Sequence, residues 1–289
     1  MNKFECHYHV KQPITIIEAL QEQCDLTIGE IKKAIDKGAL WHCRGKTIQR
    51  CRRLKKKLML DDKLHFYYDL DILLQKPTPA ILIADMETYS VWYKPYGMLS
   101  QGSKWSDHCT ITRWAQKNLQ PERPVFPVHR LDRAATGLIV VAHTKKAAQA
   151  FSKMFEHHQL EKIYHIIVYG NQQERSQPEM VELAIEGKSA VSYFSSIEYD
   201  KERDLSLIKV KIESGRKHQI RIHAASIGLP IVGDRLYGEN NLTTLNVTFK
   251  HKVDLQLSAV QLSFTCPFNN TEQVFTLPEA MRPQLDKLI

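Results

Sequence analysis

The sequence predicts an α+β protein made of two folded segments, a small basic one followed by a larger one. Three observations lead there. The chain has 289 residues, enough for about two domains at a soft prior of roughly 150 residues each. Strand-like and helix-like stretches alternate along most of it. The proline-bearing stretch Lys76-Pro77-Thr78-Pro79 interrupts that pattern early, and each proline restrains itself and its predecessor to an extended path. The expected organisation is a first module over 1–76, a linker over 77–80 and a second domain over 81–289.

Composition excludes several classes. Hydrophobic residues at 43%, charged residues at 25%, 12 Gly and 12 Pro describe a folded globular chain rather than a collagen-like or disordered one. The longest apolar runs, 80–84 and 137–142, fall far short of the roughly 20 residues that cross a bilayer, so no membrane is expected as a partner. The start, Met1-Asn2-Lys3-Phe4-Glu5-Cys6-His7, lacks an apolar leader, and the expected location is the cytoplasm. Cys6, Cys24, Cys43, Cys51, Cys109 and Cys266 form no C-x-x-C pair, which suits free thiols in a reducing compartment.

The charge points to a polyanion. Lys and Arg number 40 against 32 Asp and Glu, for a net +8, and eleven of the basic residues fall between Lys32 and Lys57 with Asp36 as their only acid. A solvated helix face would interleave both signs at helical spacing. A one-sign cluster reads instead as a phosphate-binding surface.

Within the first module, Thr15-Ile16-Ile17-Glu18 and Thr27-Ile28-Gly29-Glu30 have capping-box spacing, in which hydroxyl and carboxylate satisfy the free amides of a helix start. Two short helices follow. The second, about 28–36, puts Ile28, Ile31 and Ile35 on one face and Lys32 and Lys33 away from it, then ends at Lys37-Gly38. Residues 39–41 read as a strand, Arg44-Gly45-Lys46 as a turn and 63–68 as a last strand after Asp61-Asp62. Lys32, Lys33, Lys37, Gly38, Arg44, Gly45 and the later Leu58-Met59-Leu60-Asp61-Asp62 resemble the small ribosomal-protein-S4-like RNA-binding module. That resemblance implies an RNA surface built from Lys32, Lys33, Lys37, Arg44, Lys46, Arg52 and Arg53.

In the second segment, 89–93, 138–142 and 163–169 read as strands. Between the last two, Ala147, Phe151, Met154, Phe155 and His158 recur at helix spacing, with the apolar members expected in the core. A short helix over 219–227 turns Ile220, Ala224 and Ile227 inward and closes at Gly228. Arg221 and His223 are expected to leave it towards a cleft.

Two clusters carry chemistry. His129-Arg130-Leu131-Asp132-Arg133 sets a carboxylate among cations just before a buried strand. Nearby opposite charge favours an ionised carboxylate, the form that acts as nucleophile or base, although surface ion pairs and structural networks use the same residues. Gly215-Arg216-Lys217-His218-Gln219-Ile220-Arg221-Ile222-His223 gathers donors suited to phosphate or a carboxylate, with Gly215 expected to make the tight turn. Zinc fits poorly, because His218 and His223 stand five apart and no Cys or acid completes a tetrahedral set. No G-x-S-x-G elbow is present for a serine hydrolase.

Together the clusters carry a family resemblance. His129-Arg130-Leu131-Asp132 with Thr136-Gly137-Leu138, then Lys162-Ile163-Tyr164, then the 215–223 cluster and Pro230-Ile231-Val232-Gly233-Asp234-Arg235-Leu236-Tyr237-Gly238, resemble the RluA-type pseudouridine synthases in order and spacing. Lys94-Pro95-Tyr96-Gly97 looks like the family's opening motif. The resemblance implies a mixed, largely antiparallel central sheet flanked by helices, preceded by a small α/β RNA-binding module. It implies conversion of uridine to its carbon-linked isomer in flipped-out RNA, with neither metal nor cofactor. By the same resemblance Asp132 is catalytic, Tyr164 stacks on the target ring, Arg221 pairs with Asp132, and Arg130 fills the gap the base leaves. Lys94, His129, Thr136, Arg216, His218, Gln219 and His223 are expected to contact substrate. Asp132 could attack the sugar carbon or remove a sugar proton to give a glycal.

Where the family has Thr-Ser before Gly, this chain has Ala135-Thr136, and Tyr93, Ser258 and Cys266 also depart from the family pattern, which bears on the substrate more than on catalysis. The expected partner is RNA, ribosomal in preference to transfer, bound by a monomer. A non-catalytic RNA-binding protein on the same fold is the alternative of a different class, and a base-excising glycosidase would need a second carboxylate that is not evident beside Asp132.

Overall fold

Both capping boxes form. Thr15 and Thr27 each accept from the amide of the glutamate three residues on, and each glutamate returns a bond to the threonine amide, so α1 (Ile16–Gln21) and α2 (Ile28–Asp36) begin where the hydroxyls stand. The computed structural model that shows this describes residues 2–175, 177–238 and 253–288. The chain divides into two compact units, one of 1–77 with 101–114 and one of 78–100 with 115–289.

In the first unit, a strand the sequence reading left unassigned, β1 (Lys3–His9), joins β2 (Leu40–Arg44), β3 (Thr47–Arg50) and β4 (Lys63–Asp69) in an antiparallel sheet of order β1-β4-β2-β3. A short α3 (Leu70–Leu74) follows β4, and Asp69 caps it. Ile16, Leu20, Ile31, Ile35, Leu40, Leu64 and Phe66 form the core. Ile28 is 45% exposed rather than inward, because it opens the helix one turn before Ile31, and Ala34 takes its expected place in the core. Residues 101–114 belong to this unit: Arg50 and Arg52 both pair with Asp107, and Trp41 Nε1 donates to the Lys104 carbonyl at 2.9 Å.

The second unit holds a ten-stranded sheet. Its strands are β5 (Ile81–Asp85), β6 (Tyr89–Lys94), β7 (Phe126–Pro127), β8 (Thr136–Ala142), β9 (Glu161–Tyr169), β10 (Glu179–Glu182), β11 (Val191–Asp200), β12 (Leu205–Ile212), β13 (Leu257–Thr265) and β14 (Glu272–Thr276). The order is β10-β11-β12-β9-β13-β8-β6-β5, with β14 on β13 and β7 on β8. All pairings are antiparallel except β13 with β8, so the sheet is mixed and largely antiparallel, as expected. Helix α4 (Ile111–Asn118) straddles the boundary between the units, and α5 (Lys145–Glu156) and α6 (Gln219–Ser226) belong to the second. Among the described residues no helix is long and apolar enough to cross a membrane.

The register aligns one row across five strands: Val210 opposite Tyr164, Tyr164 opposite Ala259, Ala259 beside Gly137, and Gly137 opposite Lys94. Residues far apart in sequence thereby come within a few strand spacings of roughly 4.8 Å each.

Candidate active site

Asp132 lies in the loop that enters β8, and that loop is fixed on both sides. The Leu131 amide donates to Ser100 Oγ at 3.0 Å, and the Ser100 hydroxyl donates to the Leu131 carbonyl at 2.7 Å. The Gly97 amide reaches the Arg133 carbonyl at 2.9 Å, Arg133 Nε returns a bond to the Gly97 carbonyl at 3.2 Å, and the Ala135 amide donates to the Asp132 carbonyl at 3.2 Å. Lys94 completes the brace. Its fully buried ammonium donates to the carbonyls of Pro95, Met98 and Arg133, and burial pulls it down to about 7, against the opposing charge of Asp132.

A second scaffold positions α6. Gln219 Oε1 accepts from Ser214 Oγ at 2.7 Å and the Arg216 amide at 3.0 Å, while its Nε2 donates to the Val191 carbonyl and Ser192 Oγ, both at 3.0 Å. The left-handed residue of the turn is His218, at φ 55°, and not Gly215. A Cβ at Gly215 would meet open space, so its contribution is an uncovered stretch of backbone facing the cavity.

The sequence-predicted trio converges on one cavity of about 110 Å³ whose walls include Asp132, Tyr164, Arg221, Arg130, Arg216 and His218. Arg221 Nη1 stands 3.6 Å from Asp132 Oδ2, and His218 Nε2 stands 3.8 Å from Oδ1. The rest of the Arg221 fork is held by Asp234, with Nε to Oδ2 and Nη2 to Oδ1 both at 2.7 Å. Asp234 also accepts from the amides of Leu236 and Tyr237. The Tyr237 ring lies 5.0 Å under the Arg221 guanidinium, and its hydroxyl meets His218 Nδ1 at 3.0 Å.

Burial, helped by the Asp132 charge, pushes the Tyr164 phenol well above its ordinary value, so it stays protonated in the physiological range. Burial lowers His218 despite the pull of Asp132, which favours a neutral imidazole. The site thus offers one carboxylate, a fixed guanidinium, a neutral phenol and a neutral imidazole. Such a set can hold an anionic group near a flat ring and exchange protons with it. Among the described residues, no three His, Cys, Asp or Glu side chains gather as metal ligands.

Three residues expected at the substrate lie elsewhere. Lys94 braces loops, and Thr136 is buried with its hydroxyl towards the Leu257 carbonyl. His223 is fully buried between Ser192 Oγ at 2.9 Å and the Leu183 carbonyl at 3.0 Å. Positions 221 and 223 differ by about 200° around a helix, so Arg221 and His223 cannot face one cleft. His129 lines an adjoining cavity, where its Nε2 accepts from the Val140 amide at 2.8 Å.

The basic side chains of the first unit divide as well. Lys32, Lys33, Lys46 and Arg53 are exposed and make no side-chain hydrogen bond or ion pair among the described residues. Lys37 donates to the Leu73 carbonyl, Arg52 pairs with Asp107, and Arg44 grips Asp62 through two bonds of 2.8 and 2.7 Å.

Sequence reasoning gave no role to Asp234 or Tyr237. The available signal was that a guanidinium on the inner side of a helix needs a buried counter-ion, and Asp234 sits in the motif that follows that helix.

A family model described as RNA pseudouridylate synthase matches residues 88–226. The tRNA pseudouridine synthase C of Vibrio parahaemolyticus is 30% identical over 226 residues, which cover 68% of this chain and 89% of that protein. The dual-specificity RNA pseudouridine synthase RluA of Salmonella typhimurium is 30% identical over 219 residues, covering 71% and 94%. Among solved structures, human RNA pseudouridylate synthase domain containing 1 matches with a TM-score of 0.57 at 21% identity over 72% of this chain and 88% of that one, a likeness of fold.

Proposed function

The chain belongs to the RNA pseudouridylate synthase family, with relatives of the RluA type, and we propose that it isomerises a loop uridine of structured RNA with Asp132 as the reacting carboxylate. The observation that carries this reading is the meeting of Asp132, Arg221 and Tyr164 in one cavity wall. An isomerisation breaks the bond from the sugar C1′ to N1 and makes one to C5, while a proton leaves C5 and another joins N1. Electrons and atoms balance without an acceptor. The chain therefore has to supply an anion at the sugar, a surface for the freed ring and a place for the proton.

Arg221 aims Asp132 from 3.6 Å, because its other nitrogens are committed to Asp234. Tyr164, a neutral phenol, packs against the ring as it turns. A stacked base cannot reach such a cavity, so the uridine is flipped out, at a cost of a few kcal/mol that is least in loops and bulges. Arg130, exposed at the cavity mouth, takes the vacated space. The residues 1–76 serve as an S4-like RNA-binding module whose phosphate contacts come from Lys32, Lys33, Lys46 and Arg53, exposed side chains that make no hydrogen bond or ion pair among the described residues.

Relatives named for transfer RNA favour that substrate over the ribosomal RNA expected from the sequence. The complete trio argues against a purely structural RNA binder. The test pairs Asp132→Asn with pseudouridine mapping by carbodiimide chemistry. Product should vanish while RNA binding persists, and mapping in cells with and without the gene identifies the RNA. Turnover retained by the Asn variant would overturn the assignment.

A further inference from the structure

Beside the Asp132 cavity lies a second of about 460 Å³, within the size range of small-ligand sites. Arg130, Tyr164, Ile212, Gly215 and Arg216 line both, so the two form neighbouring compartments with a common wall. The far wall of the second compartment is aromatic. His129 and Phe155 stack at 4.5 Å between ring centroids with 22° between planes. The His129 ring carries no charge, since its Nε2 accepts an amide proton and burial with nearby Lys162 pushes it down to about 3.

Charged side chains of both signs line the compartment, with Arg130, Arg216 and Lys162 as cations and Glu156 as the acid. Arg130 and Arg216 stand at the shared wall, and among the described residues the Arg216 side chain is committed through its Nε, to the Ser189 carbonyl at 3.1 Å. Glu156 and His158, both exposed, line it as well, close in sequence to Phe155. The Arg130 and Arg216 cations on the wall shared with the Asp132 cavity and the flat, uncharged His129–Phe155 pair suit a ligand with an anion on one side and a planar ring on the other, while Lys162 adds a further cation and Glu156 an acid to the lining.

We propose that this compartment binds the nucleotide next to the target uridine in the same RNA strand, with its phosphate at Arg216 and its base against the His129–Phe155 pair. The proposal rests on the isomerase reading for the identity of the strand, and on the compartment's own geometry for the second nucleotide. It makes the enzyme sensitive to the presence of a flanking base, because a base on an aromatic surface contributes sequence-tolerant stacking.

The test uses the full chain and a stem-loop RNA carrying the mapped uridine. The RNA is prepared intact, with an abasic site on the 5′ side of the target, and with one on the 3′ side. Binding is followed by fluorescence anisotropy and turnover by pseudouridine release on digestion. One of the two abasic RNAs should bind roughly 5- to 150-fold more weakly, the span expected for one lost base–aromatic stack. Phe155→Leu, which keeps the apolar volume and removes the ring, should weaken intact RNA to a similar extent and show little further loss on that abasic RNA. Indifference of the wild-type protein to both abasic sites, or losses that multiply in the variant, would overturn the subsite. If intact RNA binds with the predicted flank sensitivity yet is never isomerised, the functional reading fails while the subsite stands.

Discussion

Asp234→Asn removes one charge from a buried pair while keeping its shape, and so measures how Arg221 is aimed. Asp234 is 4% exposed and Arg221 6%, and two bonds of 2.7 Å join them. In the variant an amide N–H faces a guanidinium N–H, and among the described residues the guanidinium keeps Asp132, 3.6 Å away, as its neighbouring anion. Breaking a buried pair from one side costs roughly 3–5 kcal/mol. With Asp132 offering partial compensation, the lower end applies. About 3 kcal/mol corresponds to a fall of roughly 6–12 °C in Tm for a unit of this size. Because Arg221 turns towards the remaining carboxylate, Asp132 is pulled from its working position and turnover falls with stability. Thermal melts and single-turnover isomerisation of Asp234→Asn, Arg221→Lys and the double variant give the cycle. The double variant should lose little beyond the worse single one, since both act on one unit. Melting and turnover like wild type in Asp234→Asn, or losses that simply add, would refute this account of the pair.

Two further outcomes follow from the first unit. Replacing Lys32, Lys33 and Lys46 by Gln should weaken RNA binding and flatten its dependence on log salt by about 0.7–0.9 per lost phosphate contact, measured by titration at several ionic strengths; an unchanged slope removes this surface from the RNA site. Asp62 is held well below its ordinary value of 3.8 by Arg44, with further bonds from His42 and the Met59 amide. A depressed acid stabilises the fold above its unfolded pKa, and that contribution is lost as pH falls through the folded value. The stability gap between wild type and Asp62→Asn in urea should therefore be open at pH 7 and close as the pH drops below about 4. A gap constant with pH would contradict it.

Local signals were legible in the sequence and non-local ones were not. Threonine and glutamate three apart announce α1 and α2 because both partners lie within one turn, and the pieces of the Asp132 and Arg221 clusters stand within a few residues of one another. The β1 strand was overlooked although Phe4, Cys6 and Tyr8 alternate inward, because Lys3, Glu5, His7 and His9 dilute the apolar signal in so short a run. The hairpin of β11 and β12 was missed for a similar reason, with Glu198, Lys209 and Lys211 outward. Arg44 reads in sequence like any other cation of its cluster. Only the fold brings Asp62 to it, eighteen residues on. The pairing of β13 with β8 spans more than a hundred residues and leaves no mark in either segment, yet it is what sets Tyr164 near the Asp132 loop.

That pairing hangs on Gly137. A Cβ there would lie 2.3 Å from the Ala259 carbonyl oxygen and 2.4 Å from its nitrogen, at a φ of 109°. Both obstacles are backbone, which cannot rotate aside, so Gly137→Ala must either strain β8 or push β13 away. Tyr164 lies opposite Ala259 and Lys94 opposite Gly137, and any parting of the two strands therefore separates the Tyr164 wall from the loop that Lys94 braces. Gly187→Ala isolates the dihedral cost, since its φ of 73° is also unfavourable while nothing lies within 4 Å of its Cβ. The Gly187 variant should lose roughly 1 kcal/mol and keep its turnover, as a residue forced into a left-handed region costs about 1–3 kcal/mol. Gly137→Ala should lose clearly more stability and most of its turnover in the same urea and isomerisation assays. Equal losses in the two variants would mean that conformation alone, and not the close approach of β13, makes glycine necessary at 137.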